Sequence, residues 1–274
     1  MIRTRKMDGF DIELYSQPAT RQDEWVVERT RGLRGGYFIE CGAHNGLQHS
    51  NTLTLENDFA WTGLLVEADP DLSAQAQKNR PACQHARCAL SVTDDSVVRF
   101  TQGGQWGGLT NYLPKDWLWE HQRRQSPEIW VTTITLRGLL TRYKAPQTID
   151  YFSLDIEGAE VPVLRDYFQS PLHTFRCLTV EYREDAGELM RLRRILEPHG
   201  YVLDQVRAWD AFFYHEALSE SPAHARAGML AGVYRPDVLR AGLPLVGPQP
   251  GVRPPRGRRA GDARRDRPRS DRTA

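Results

Sequence analysis

Short apolar runs that end on an acidic residue recur along this chain and alternate with stretches of helical character. The run Tyr37-Phe38-Ile39 meets Glu40 and passes through Cys41 into the glycine-bearing turn Gly42-Ala43-His44-Asn45-Gly46. A helix is expected over 52–57, with Ser50 or Asn51 able to cap its first turn. Gly63 to Val66 reads as a second strand ending in Glu67. Asp69 as cap and Pro70 in the first position start a helix that stops before Pro81. Further strands are predicted over 83–90, 97–100 (antiparallel), 130–136, 149–154 and 175–180, the last two meeting Asp155 and Glu181. Helices are expected around Leu139-Leu140, over 161–168, and along the stripe Leu189, Leu192, Ile195 and Leu196 before Pro198. Tyr201–Val206 and Ala211–Tyr214 form a closing antiparallel pair. Such alternation predicts an α/β fold: a mainly parallel twisted sheet with right-handed crossovers, helices on both faces and an antiparallel closing strand.

Two stretches depart from this rhythm. Residues 1–35 form an entry segment in which Phe10, Ile12 and Leu14 alternate like a short strand and 21–29 looks helical. Thr101 to Ile129 is rich in glycine and tryptophan. It reads either as a lid over a substrate or as a surface insertion packed on itself.

In an open α/β sheet the ligand crevice lies at the carboxyl ends of the strands. Glu40, Glu67, Asp155 and Glu181 each terminate a proposed parallel strand, so they should converge on one rim. Gly42 and Gly46 let main chain approach a ligand, and Glu67 stands where nucleotide-type folds grip ribose hydroxyls. A dinucleotide fits poorly. The spacing Gly42-x-x-x-Gly46 is not that of a pyrophosphate loop, and Glu40 sets negative charge where phosphates would sit. S-adenosylmethionine, with an ammonium, a sulfonium, a ribose and no phosphate, suits the charge. The bland alternative is a tight turn whose acids meet solvent.

Asp155 and Glu157, two apart, point the same way if the strand persists, and are expected to face the substrate. With Glu181 they make an all-oxygen set of the kind that suits Mg²⁺ or Ca²⁺. Methyl transfer to a hydroxyl needs a base or a metal, because an alcohol's pKa is near water's, about 15.7. His44, inside the turn, is a candidate base or a structural residue. Glu160 is expected in solvent at a helix start, where negative charge is stabilising.

Composition changes this picture little until the C-terminus. At 274 residues, 40% hydrophobic and 26% charged, the chain is ordinary for a soluble globular protein, and no apolar run reaches the roughly 20 residues of a membrane span. The basic start is followed by no apolar stretch, so no secretory signal is expected. Cys41, Cys83, Cys88 and Cys177 lack metal spacing, and Cys41, Cys88 and Cys177 read as reduced core thiols; cytoplasm is the default. From Gly251 onward nine arginines face three aspartates, so the net charge of +1 hides a basic tail on a body of about −5. The expected organisation is 1–35 entry segment, 36–217 catalytic domain, 218–245 loosely organised extension with an apolar patch at 229–234, and 246–274 disordered Arg/Pro-rich tail. The tail either only solubilises the protein or binds nucleic acid.

Several segments together resemble the FkbM family of methyltransferases. They are Ser16-Gln17, Phe38 to Gly46, Ser50-Asn51-Thr52 with Leu55-Glu56, and Trp61 to Glu67. Asn79-Arg80-Pro81, Cys88-Ala89-Leu90-Ser91, Thr133 to Leu136 and Ile149 to Glu160 complete the set, in order over about residues 15–215. The resemblance implies a Rossmann-like class I methyltransferase fold, S-adenosylmethionine as donor, and O-methylation, often of sugar or natural-product hydroxyls. Carried over, it sets Glu40, Gly42, Ala43 and Gly46 by the methionine part, Glu67 and Ala68 by the ribose, Ala89 and Leu90 near adenine, and Asp155 near the methyl. The second strand ends in Glu67-Ala68-Asp69-Pro70, a departure that should still hold ribose. No Asn-Pro-Pro-Tyr motif is present, which disfavours amino-group methylation of bases. An RNA-binding or RNA-methylating protein that uses the tail is the alternative.

Overall fold

A computed structural model describes residues 3–7 and 10–219. In chain order the elements are β1 (Arg3–Met7), β2 (Phe10–Leu14), α1 (Gln22–Arg29), β3 (Tyr37–Cys41), α2 (Leu53–Phe59), β4 (Thr62–Val66), α3 (Pro70–Asn79), β5 (Gln84–Ala86), β6 (Ala89–Leu90) and β7 (Val97–Thr101). There follow β8 (Gly108–Leu109), α4 (Lys115–Arg124), β9 (Glu128–Ile134), α5 (Leu136–Arg142), β10 (Thr148–Leu154), α6 (Glu160–Tyr167), β11 (Thr174–Glu181), α7 (Ala186–Leu196), β12 (Tyr201–Arg207), β13 (Asp210–His215) and α8 (Glu216–Ser219). The tail, the patch at 229–234 and all of the extension beyond Ser219 lie outside the described residues.

Seven strands form the main sheet in the order β12-β13-β11-β10-β3-β4-β5. Strands β5, β4, β3, β10 and β11 run parallel, while β13 is antiparallel to both its neighbours. The result is an open, mainly parallel sheet, with the antiparallel closing strand where the sequence predicts it. Side-chain alternation divides the core. Ile39, Cys41, Phe152, Leu154, Leu178 and Val180 face one layer, and Phe38, Tyr151 and Cys177 face the other, against Trp25, Val26 and Phe59 of α1 and α2. Phe152 and Phe175 lie 4.8 Å apart between centroids, both fully buried.

Helix starts follow local chemistry. The Asp69 carboxylate accepts from the Asp71 and Leu72 amides, with Pro70 opening α3. Thr135 caps α5 and Asp185 caps α7. At α2 the Ser50 hydroxyl accepts from the Thr52 and Leu53 amides.

Two expectations are corrected, for 83–90 and for Glu160, and one stretch gains detail. The single strand over 83–90 is two short ones: β5 closes the main sheet, whereas β6 joins a second sheet of order β6-β9-β7-β8. Thr101–Ile129 carries its own structure: β8, α4 and a turn of 3₁₀ helix at Gly104–Trp106. Glu160 is buried rather than in solvent, for a reason that lies in the loop before it.

Candidate active site

Register brings the strand ends together. Cys41 of β3 pairs with Leu154 of β10 and Val66 of β4, and Leu154 pairs with Val180 of β11. The loops leaving β3, β4, β10 and β11 therefore share one rim. At its centre the Gly42 amide and the Ala43 amide both donate to the Val66 carbonyl. Gly42 has φ +81°, and a Cβ there would lie 1.8 Å from the Asp155 carbonyl oxygen. The β3 and β10 loops touch backbone to backbone, and only glycine permits it.

Glu40 does not project into this crevice. It is the penultimate residue of β3, on the face shared with Phe38, and is 2% exposed. Its carboxylate accepts from the Asn51 amide (2.7 Å), the Ser50 hydroxyl (3.0 Å), the Thr52 hydroxyl and Arg80 Nη1 (3.2 Å). Arg80 Nε also donates to Glu56 (2.6 Å). The expected direct role of Glu40 at the methionine part is therefore revised: it acts from behind, fixing 50–52 and α3 beneath the turn. Gly46, with φ +78°, packs against Arg80 and Ala76.

Glu67 bridges the two turns, accepting from the His44 amide (2.8 Å) and the Asp69 amide (2.9 Å). Burial raises its carboxyl to about 7, the backbone donors opposing that shift. Ala68 beside it is partly exposed. Ala89 and Leu90 are buried in β6, in the second sheet rather than on the main-sheet rim. His44 has φ +50°, and burial lowers its pKa, which favours neutral imidazole near pH 7.

The other end of the rim is acidic. Strand β10 stops at Leu154, so Asp155 and Glu157 do not point together by strand alternation. A left-handed turn does it instead: Glu157 has φ +59° and Gly158 φ +116°. One carboxylate oxygen each from Asp155, Glu157 and Glu181 lie within 4.8 Å of one another. The turn also aims the Ile156 and Gly158 amides at the start of α6, where Glu160 accepts both (2.7 and 2.9 Å) and is drawn inward. Burial raises the carboxyls of Asp155, Glu157 and Glu181 well above the usual range, and their acidic neighbours push the same way. At 4.8 Å, and with an effective dielectric of about 20, each ionised pair repels by roughly 3.5 kcal/mol. Arg183 opposes this, but it is shared with Glu160 (3.7 Å) and Glu188. Across the sheet edge Glu181 pairs with Asp210, whose carboxyl burial raises to about 7.

Sequence reasoning missed Gln22. Its side-chain carbonyl accepts from Tyr151 (2.7 Å), Ser153 (3.2 Å) and Thr179 (2.6 Å), and its amide donates to Asp210 (2.6 Å). The entry segment thus ties β10, β11 and β13 together beneath the acids. A glutamine opening a predicted helix carries no signal for this.

The 102–113 segment covers the rim. Gln102 donates to Asp69 (2.8 Å), and a Cβ on Gly104 would lie 4.0 Å from His44 Nε2. Gly108 packs on Glu157, and the Tyr112 carbonyl lies against Gly158. The insertion also packs on itself: Trp106 and Trp117 lie 5.9 Å apart, and buried His121 bonds the Trp106 carbonyl and the Ser126 hydroxyl. The stretch is thus an insertion that packs partly on itself and partly across the rim.

Residues 40–203 match the methyltransferase FkbM domain. The chain belongs to the FkbM methyltransferase family. It is an S-adenosylmethionine-dependent methyltransferase of class I fold. No curated protein has a significant sequence match to it. Among solved structures, FkbM methyltransferase from Methylobacillus flagellatus KT is similar at 14% identity and TM-score 0.40, over 66% of this chain and 43% of that one. The METTL16 MTase domain is similar at 12% and 0.43, over 71% and 66%. The TehB-like SAM-dependent methyltransferase from Corynebacterium glutamicum ATCC 13032 is similar at 11% and 0.38, over 71% and 88%. Among the described residues no helix is long and apolar enough to cross a membrane.

Proposed function

We propose that this FkbM methyltransferase moves the methyl group of S-adenosylmethionine to a hydroxyl oxygen of a sugar, glycan or natural-product acceptor. The S–CH₃ bond breaks, an O–CH₃ bond forms, the sulfonium becomes a thioether, and the hydroxyl proton passes to a base. The observation that carries this reading is the pair Asp155 and Glu157, the first partly exposed and the second buried, two carboxyls of raised pKa beside the Gly42 turn. A carboxylate of raised pKa takes a proton more readily than an ordinary one, and positioning supplies most of the remaining rate.

In this reading Gly42, Ala43 and Gly46 let backbone meet the methionine part while Glu40 braces them. Glu67 turns from its amide donors to the ribose, with Ala68 alongside. Ala89 and Leu90 serve adenine, and His44 is the second candidate base. Mg²⁺ is the ion that the oxygens of Asp155, Glu157 and Glu181 would accept. We place the enzyme in the cytoplasm, in keeping with four free cysteines whose thiol pKa values burial raises.

Incubation with methyl-labelled donor and a panel of glycans, hydroxylated small molecules, lipids and RNA tests the reading. A labelled O-methyl ether lost in Asp155→Ala is expected, and Glu67→Ala should weaken donor binding at least about tenfold, a loss of roughly 1.4 kcal/mol. Label in RNA, salt-sensitive and abolished by deleting 251–274, would transfer the assignment to the nucleic-acid alternative.

A further inference from the structure

We propose that Asp155, Glu157 and Glu181 form a binding site for a hard divalent cation, with Glu181 as its buried anchor. The three residues come from two adjacent strand ends, and an oxygen of each lies within 4.8 Å of the others. The second observation is at Glu181. This residue is 8% exposed, and its Oε2 is buried with no hydrogen-bond partner. A buried carboxylate oxygen without a donor is costly unless a cation or a proton meets it.

The surroundings argue for a cation rather than for a fourth protein group. Glu160, the nearest other acid, is already satisfied by two backbone amides and Arg183. Asp210 is held by Gln22 through Oδ2, while its Oδ1 is, like Glu181 Oε2, buried without a hydrogen-bond partner. Glu181, by contrast, closes its strand next to two further carboxylates, an arrangement that concentrates negative charge on one small volume. Tyr112 and Gly108 of the covering segment pack over Glu157 and Gly158, which limits water access.

Donor chemistry sets the class of ion. Three carboxylate oxygens without nitrogen or sulfur suit Mg²⁺, Mn²⁺ or Ca²⁺ rather than zinc. A cation held there would also lower the pKa of an acceptor hydroxyl that reached it. The site itself does not depend on which acceptor is methylated.

Full-length protein stripped with EDTA is titrated with Mn²⁺, and free ion is read by electron paramagnetic resonance. One Mn²⁺ per chain is expected, displaced by Mg²⁺ and by Ca²⁺. Glu181→Gln and Glu157→Gln should each weaken it by at least about tenfold, while the surface change Glu128→Gln should leave it unchanged. No uptake up to roughly 1 mM, the weak end for oxygen sites, overturns the proposal, as does equal affinity in the Gln variants. If Glu181→Gln does not fold, Glu157→Gln decides by the same readout. Titration of the metal-free protein with S-adenosylmethionine runs in parallel: donor uptake without Mn²⁺ uptake removes the cation site and leaves the methyltransferase reading standing.

Discussion

Two buried charged regions lie on the same rim and are built on opposite terms. Around Arg80 the acids are answered: Glu40 and Arg80 side chains are 3% and 1% exposed, 3.2 Å apart, with Ser50, Thr52 and the Asn51 amide completing the carboxylate, although Arg80 Nη2 is buried without a hydrogen-bond partner. Glu56, 17% exposed, takes the guanidinium's other edge. Around Glu181 the acids outnumber the cation, and two oxygens, Glu181 Oε2 and Asp210 Oδ1, have no hydrogen-bond partner. A buried carboxylate whose bonds are complete, as at Glu40, holds backbone in place. One left incomplete is where something from outside can enter.

The comparison breaks most visibly at Arg80. Arg80→Met leaves Glu40 buried without its cation and should cost about 3–5 kcal/mol in urea unfolding at pH 7. Adding Glu40→Gln should recover much of that loss, because the uncompensated charge is then gone. A small effect of Arg80→Met would mean that the knot is not what fixes the turn.

The acidic side predicts the opposite sign and a pH dependence. Asp210 titrates near 7 in the folded protein and near 3.8 as an ordinary Asp. Between those values the folded state binds more protons than the unfolded one, so its contribution falls as pH rises, by up to about 1.4 kcal/mol per pH unit. Urea melts in EDTA should lose stability from pH 5 to pH 7, and Asp210→Asn should flatten the slope. Burial and the neighbouring acids raise the Glu181 carboxyl, so Glu181→Gln should become more stabilising as pH rises from 5 to 8. A loss at pH 8 would show that Glu181 is paired after all. The smallest effect is a control: Arg99 and Glu128 are 54% and 42% exposed, so Arg99→Ala should change stability by less than about 0.5 kcal/mol.

Much of the fold was legible because its signals are local. Asp69-Pro70 announces a helix start, and Gly200, with φ +82°, ends the turn after α7 as expected. Alternating apolar runs announce the strands, and their parallel order follows from the helices between them. The acid rim was legible too, as four carboxylates at predicted strand ends. What escaped was direction. Glu40 reads as a strand tip but lies one residue inside it, and side-chain alternation turns it onto the α1/α2 face. Glu160 reads as a solvated helix-start acid, yet the turn at Glu157 and Gly158 just before it draws it inward.

The chain's own order of residues thus determined the family, the strand-and-helix sequence and which acids sit near the carboxyl ends of the parallel strands, since spacing and capping act over a few residues. Tertiary structure alone decided which of those acids are spent and which are free. That depends on partners far away in sequence, such as Arg80 for Glu40 and Gln22 for Asp210, and on the left-handed turn at Glu157 and Gly158 that sets two carboxylates beside a third.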